Sequence, residues 1–89
     1  MTDTQVKTKQ VSIRKVMMSA AFVKGWKDGR SSAPWPDENL LKNVTNAWNY
    51  ERGRQYGVLY PHISPKKGNQ VSSAAARAFV DSVVSGYII

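Results

Sequence analysis

The segment Gly29-Arg30-Ser31-Ser32-Ala33-Pro34-Trp35-Pro36 separates two helical patterns and decides how the chain folds. Its prolines cannot continue a helix, and they favour an extended backbone on both sides of Trp35. Gly29 directly follows the last periodic residue of the preceding pattern, where helices often end in a left-handed residue. We therefore predict a helical hairpin, with the Trp35 indole packed across both helices as part of the core.

The residues that precede this linker repeat at the spacing of a helix. Between Ser12 and Asp28, apolar side chains recur at steps of three and four, which places them on one helix face. The members of this face are Ile13, Val16, Met17, Ala20 and Ala21. We predict a first helix that runs from about Ser12, whose hydroxyl suits an N-cap, to Asp28.

A second helical pattern follows the linker and ends before Gly57. Asp37 can cap its free amide groups, and Glu38 meets the positive end of the helix dipole. Its apolar positions are Leu40, Leu41, Val44, Ala47 and Trp48. We predict that Gly57 stops this helix, that Trp48 lies in the core, and that the first two helices pack as an antiparallel or crossed pair.

The third helical pattern has a wide apolar face and little charge, and it begins near Ser72 after a second linker at residues 60–70. Its apolar row consists of Ala75, Phe79, Val83 and Tyr87. Only Arg77 and Asp81 are ionic, so an uncovered third helix would expose a large apolar patch. We expect this helix to pack on the first two or to form a homodimer through residues 72–89.

The length of 89 residues allows a single hydrophobic core. With 42% hydrophobic residues, the chain is too apolar for general disorder. We therefore predict an all-α fold, a small three-helix domain over residues 11–89 that joins a helical hairpin, with its Pro-Trp-Pro linker, to a C-terminal apolar helix. Residues 1–10 lack an apolar period and carry Lys7 and Lys9, which predicts a flexible basic N-terminal arm.

The chain is strongly basic, because thirteen Lys and Arg face six Asp and Glu, giving +7 at pH 7 and a pI near 10.0. Such a charge attracts anionic partners, although a solvated basic surface without a ligand gives the same composition. The absence of cysteine excludes disulfides, cysteine-bound metals and thiol nucleophiles. No apolar stretch approaches the roughly 20 residues of a membrane span, so we expect no membrane contact and a cytoplasmic location in a bacterial cell.

Catalytic patterns are missing from the sequence. The only histidine, His62, stands between Pro61 and Ile63 without a neighbouring acid to orient it. The acids are scattered, and no P-loop, glycine-rich dinucleotide turn or paired-histidine metal motif is present. We therefore predict that the protein is not an enzyme and has no catalytic residue, metal site or cofactor site.

Two short segments share the order aromatic, charge, charge, Gly, Arg: Trp26-Lys27-Asp28-Gly29-Arg30 and Tyr50-Glu51-Arg52-Gly53-Arg54, which begin 24 positions apart (50 − 26). Each final arginine follows a glycine near a helix end, where a cation also compensates the dipole. The functional interpretation is that cations and rings gather at one end of the hairpin, where arginine forks grip phosphates and rings stack on bases. The predicted nucleic-acid-binding residues are Lys24, Trp26, Lys27, Arg30, Tyr50, Arg52 and Arg54.

A second basic group stands at the start of the first helix, where Arg14 and Lys15 follow Lys7 and Lys9. A positive cluster at this position opposes the helix dipole and costs helix stability. A role in building the helix therefore explains it poorly, and we add Arg14 and Lys15 to the predicted nucleic-acid-binding residues.

The stretch Ala21-Phe22-Val23-Lys24-Gly25-Trp26-Lys27-Asp28-Gly29-Arg30-Ser31, followed by Pro34-Trp35 and by Ala47-Trp48, resembles the ribosome modulation factor family. The resemblance covers roughly residues 20–57 and implies two helices joined by an extended linker. It also implies binding to the ribosome near the messenger exit region, where the family promotes inactive ribosome dimers. The matching residues are Gly25, Trp26, Gly29, Arg30, Pro34, Trp35 and Trp48.

The sequence departs from the family pattern at three places. Ala33 replaces the linker cysteine, Tyr50-Glu51-Arg52-Gly53 replaces a Gly-Trp pair, and the third helix has no counterpart. The chain also resembles small bacteriophage accessory proteins that bind and inhibit a host protein. That resemblance implies the alternative partner, a host protein bound through the apolar C-terminal helix, whereas nucleic acid or the ribosome is the partner that the basic residues favour.

Overall fold

The computed structural model describes residues 12–36 and 38–89, except for the side chains of Glu38 and Leu40. Its elements, in chain order, are α1 (Ile13–Met18), α2 (Ala20–Ser31), α3 (Glu38–Leu41), α4 (Val44–Leu59), β1 (Lys66–Lys67), β2 (Gln70–Val71) and α5 (Ser73–Val84). The predicted all-α fold is confirmed. The predicted N-terminal arm at residues 1–10 and the predicted cap at Asp37 lie outside the described residues.

The predicted first helix is two helices, because Ser19 interrupts it. Ser19 adopts an extended conformation (φ −65°, ψ 146°), and its N–H closes α1 on the carbonyl of Val16 at 3.2 Å. The same residue caps α2, since its hydroxyl accepts a hydrogen bond from the Phe22 N–H at 3.1 Å. A serine side chain that satisfies the first amides of a helix is a strong N-cap, so the chain turns here although the apolar pattern continues. The predicted cap at Ser12 is confirmed.

The predicted second helix is also divided. α3 ends at Leu41, and α4 begins after Asn43, whose Oδ1 accepts a hydrogen bond from the Asn46 N–H at 3.0 Å. The predicted stops at Gly29 and Gly57 are wrong, because α2 continues to Ser31 and α4 continues to Leu59. The left-handed residue that ends α2 is Ser32, with φ 56°.

Both glycines stay inside their helices because α2 and α4 cross there at very short range. Gly25 and Gly29 of α2 face Gly53 and Gly57 of α4, and a Cβ atom on any of the four would collide with a main-chain carbonyl of the other helix. The obstructing oxygens belong to Tyr50, Arg54, Phe22 and Trp26, respectively. Glycines spaced by four residues on both helices permit this approach of two backbones.

The two helices run parallel, so the antiparallel alternative is wrong. Gly53 lies against Phe22 and Gly57 lies against Trp26, so the contacts advance together along both helices. α3 lies between the two helices in sequence, and the chain returns to the start of the crossing before α4 begins.

The core lies on one side of this crossing, where α1 and α5 cover it. Phe22 of α2 meets Phe79 of α5 edge to face, with ring centroids 5.3 Å apart, and it meets Tyr56 of α4 at 5.7 Å. The Tyr56 hydroxyl donates to the carbonyl of Ile63 at 2.8 Å, and burial raises the pKa of this tyrosine. The core residues are Val16, Met17, Phe22, Trp26, Tyr56, Ala75, Phe79 and Ile88.

The second predicted linker contains a short antiparallel hairpin, in which Lys66 pairs with Val71 and Lys67 with Gln70. Its turn has Gly68 at the first central position with φ 65°, as hairpin turns of two residues require.

The predicted start of the third helix is confirmed, because the Ser72 hydroxyl caps α5. Its predicted apolar row is only half correct.

Ala75 and Phe79 are buried, whereas Val83 and Tyr87 are exposed. α5 ends at Val84, and the chain turns at Gly86, with φ 84°. Ile88 therefore occupies the core where the row predicted Val83 and Tyr87.

Candidate nucleic-acid interface

A partly buried hydrogen-bond chain connects α2 and α4, and its residues are not part of the core cluster. The Tyr50 hydroxyl donates to Asp28 Oδ2 at 2.7 Å and accepts from Arg54 Nη1 at 2.8 Å. Lys24 adds an ion pair to the same carboxylate, with Nζ and Oδ2 3.4 Å apart. Burial, together with the hydrogen bond to Asp28, raises the pKa of Tyr50, so the phenol stays neutral and keeps both hydrogen bonds.

The Trp35 ring packs against this network of hydrogen bonds. The Arg54 guanidinium carbon is 4.7 Å from the centroid of the Trp35 ring, and the ring meets Tyr50 edge to face at 5.4 Å. Arg54 Nη2 also donates to the carbonyl of Ala33, which fixes the linker against α4. We name Lys24, Asp28, Trp35, Tyr50 and Arg54 the Trp35 cluster.

The predicted core position of Trp35 is wrong, because the residue is 55% exposed. The close contact between α2 and α4 leaves no room for an indole between them, so the linker places Trp35 on the outer surface. An exposed indole with a cation stacked on it is thus the most prominent aromatic feature of this surface.

Trp26 was predicted as an exposed ring and is instead a core residue, 8% exposed. It lies on the face of α2 that packs against Gly57, and its Nε1–H donates to the carbonyl of Tyr60 at 3.0 Å. Arg30 remains exposed, and its guanidinium carbon is 4.6 Å from the centroid of the Trp26 ring. Lys27 is exposed on the same helix.

Arg52 does not join the Trp35 cluster, which corrects the predicted convergence. It is two positions from Arg54 on α4, so the two side chains leave the helix about 200° apart. Arg52 stacks on Trp48 at 4.3 Å and contacts Glu51 at 3.3 Å. Trp48, predicted in the core, is 43% exposed beneath this arginine.

The second predicted basic group is also separate from the Trp35 cluster. Arg14 and Lys15 are exposed on α1, and no side-chain hydrogen bond or ion pair joins them to the cluster within the described residues. Lys7 and Lys9 lie outside those residues. The structure thus brings together Lys24, Tyr50 and Arg54, places Arg30 beside Trp26, and leaves Arg14, Lys15 and Arg52 elsewhere.

Sequence reasoning missed Asp28 and Trp35 as members of the site, and it used the wrong internal repeat. The structure pairs Gly25 with Gly53 and Gly29 with Gly57, which are 28 positions apart (53 − 25), rather than the 24 of the aromatic-Gly-Arg segments. The signal that reveals the true pairing is the four-residue spacing of glycines in each helix, since it marks a close helix contact.

Other classes of site find no support in the part of the chain that the structure describes. No cluster of three or more His, Cys, Asp or Glu side chains there is suited to a metal ion, and His62 is exposed. None of the described helices has both the length and the apolar character needed to span a membrane. Comparison of the chain with family models, curated proteins and solved structures finds no match.

Proposed function

We propose that the protein is a small basic, non-catalytic binding protein whose target is nucleic acid or the ribosome, and that the Trp35 cluster is its binding surface. The observation that carries this proposal is the exposed Trp35 indole with the Arg54 guanidinium stacked on it. Single-stranded nucleic acid offers both complementary groups, an unpaired base and a phosphate.

The geometry of Arg54 suits phosphate binding. Its hydrogen bonds to the Tyr50 hydroxyl and the Ala33 carbonyl hold the guanidinium in one position, so little side-chain entropy is lost when it binds. Further N–H donors of the fork remain for phosphate oxygens. A base that stacks on the free part of the Trp35 indole adds about 1–3 kcal/mol.

The charges on α2 and α4 add to this attraction. Lys24 and Arg54 are the two cations of the Trp35 cluster and Asp28 is its one carboxylate, whereas Lys27 and Arg30 are further exposed cations on α2. The surface therefore keeps an excess of positive charge. The net charge of +7 attracts a polyanion from a longer distance.

Salt dependence of binding tests the proposal. For a labelled single-stranded RNA of about twelve nucleotides, log K should fall with log salt at about −0.7 for each phosphate neutralised. Trp35→Ala should weaken binding, whereas Tyr87→Ala, which removes an exposed ring outside the Trp35 cluster without a change of charge, serves as the control. No binding of RNA or single-stranded DNA at low salt would rule out this function.

The resemblance to ribosome modulation factors supports the ribosome as the particle whose nucleic acid the protein binds. Of the matching residues, Gly25 and Gly29 lie in the helix crossing and Trp35 lies in the cluster. Sedimentation with purified ribosomes tests this target. Binding to free RNA without co-sedimentation would leave nucleic acid as the target and exclude the ribosome.

A second proposed function is inhibition of a host protein by a bacteriophage accessory protein. It is supported by apolar side chains exposed on α5 and after it, which are Val80, Val83, Val84 and Tyr87. Contiguous exposed apolar surface on a small protein is typical of protein interfaces or of a homodimer. Capture of the same protein from a bacterial lysate before and after nuclease treatment favours this function, and capture that requires intact nucleic acid contradicts it.

A further inference from the structure

An apolar groove of about 510 Å³ lies on the side of α4 that carries Arg52. The start of α1, the first turns of α4 and the end of α5 form its walls, and Ile89 also lines it. The residues that matter for its chemistry are Ile13, Val44, Trp48, Asn49, Arg52 and Val83.

Two polar groups in this groove lack partners. Asn49 is only 7% exposed, and its side chain makes no hydrogen bond within the described residues. Arg52 has a side chain that is 13% exposed and a buried Nε–H that has no acceptor. Buried polar groups are nearly always hydrogen-bonded, because leaving them unpaired costs free energy. The Nε–H of Arg52 is such a group, and its place beside an apolar groove indicates that something else supplies its acceptor.

We infer that this groove binds an apolar peptide segment of a partner protein that carries a carboxylate. Apolar side chains of the segment pack against Val44 and Val83. The Asn49 amide, which is both donor and acceptor, pairs with a main-chain amide of the segment. The carboxylate replaces Glu51 on Arg52, whose guanidinium turns to present its Nε edge as a bidentate fork. The inference rests on the second proposed function, protein binding.

The observations favour this occupant over a second copy of the chain or a lipid acid. Two copies that each carry +7 repel one another, whereas an acidic segment is complementary to Arg52. An ionised hydrocarbon-tailed acid offers the Asn49 amide acceptors alone, whereas a peptide bond offers it both a donor and an acceptor. Val44 and Ile89 are strongly exposed at the groove, so its apolar surface extends beyond the cavity, as a peptide requires.

The test is selection of binders from a random dodecapeptide display library on the full chain. Enriched peptides should contain apolar residues together with Asp or Glu. For a synthetic copy of one such peptide, Arg52→Met should lower the affinity at least about tenfold, since hydrogen bonds to charged groups contribute that much. The matched control, Arg77→Met on the exposed face of α5, should change it by less than about twofold.

A second pair of variants blocks the groove itself. Val83→Asp should abolish peptide binding, whereas Val58→Asp, at an exposed valine near the end of α4 and outside the groove, should not. Thermal unfolding of all four variants separates loss of the site from loss of the fold. The side-chain amide resonances of Asn49 should shift when the peptide binds to the wild-type chain.

Each contrary result overturns the inference. These are the absence of enrichment, enrichment of peptides without an acid, unchanged affinity in Arg52→Met, or displacement of the peptide by dodecanoate at equal affinity. A dimer in light scattering that Val83→Asp dissociates would assign the groove to a second copy. A host protein captured equally by wild type and Val83→Asp would preserve the second proposed function and refute the groove.

Discussion

Replacing Gly25 with alanine puts a methyl group in collision with the carbonyl oxygen of Tyr50. The neighbouring atoms are main-chain atoms of α4, including the N of Arg54 at 2.8 Å from the new Cβ position, so no flexible side chain can move aside. The helices must separate, and the hydrogen bonds between Tyr50, Asp28 and Arg54 must stretch with them.

The size of the effect follows from two opposing terms. Alanine is better than glycine in a helix by about 1 kcal/mol, whereas overpacking of a close contact costs about 1–3 kcal/mol. Because the obstruction is rigid backbone, we expect the upper end of that cost and a net loss of about 2 kcal/mol. For a domain of this size, such a loss lowers the melting temperature by roughly 8–16 °C.

Urea and thermal unfolding followed by circular dichroism measure this change. Thr45→Ala, an exposed position near the start of α4, is the control, because it alters helix propensity without touching the crossing. If Gly25→Ala were as stable as the wild-type chain or more stable, helix propensity alone would govern the position. The close parallel crossing would then be refuted.

Three further outcomes are expected. Trp35→Ala should lower the free energy of unfolding by less than about 1 kcal/mol, because the ring is largely exposed, yet weaken single-stranded RNA binding by about 1–3 kcal/mol in an anisotropy titration. Stability should fall as pH rises above about 10, because the pKa values of Tyr50 and Tyr56 are raised in the folded chain and the unfolded chain releases these protons first. Tyr56→Phe should reduce that slope in urea titrations at several pH values, and an unchanged slope would contradict the burial of its hydroxyl. Arg52→Met should leave the melting temperature unchanged or raise it, because it removes the unpaired Nε–H. A fall of several degrees would mean that the stacking of Arg52 on Trp48 stabilises the fold by more than the unpaired Nε–H destabilises it.

The sequence predicted where helices occur better than where they end. The cap at Ser12 and the start of the third helix near Ser72 were predicted correctly, because each residue stands just before an apolar period. The breaks at Ser19 and Asn43 were missed, since the periodic pattern continues across them and only the side-chain capping bonds reveal the turn.

The glycines and tryptophans show that a local sequence pattern does not specify which helix packs against it or in which direction. Gly29 near the end of a pattern fits either a helix stop or a close helix contact, and only the partner helix distinguishes the two. The burial of Trp26 and the exposure of Trp35 were predicted the wrong way round. Which ring faces the core depends on the direction of the helix crossing, and the sequence predicted only an antiparallel or crossed pair.

The parallel arrangement of α2 and α4 also has a kinetic consequence. In an antiparallel hairpin, contacts next to the loop form first, and contacts farther from the loop then form one after another. Here even the hydrogen bond between Asp28 and Tyr50 spans 22 residues (50 − 28), so the chain must close a long loop before the helices make contact across the crossing. Folding should therefore be slower than for an up-and-down helical bundle of equal length, with most of the delay in the search that precedes the first contact.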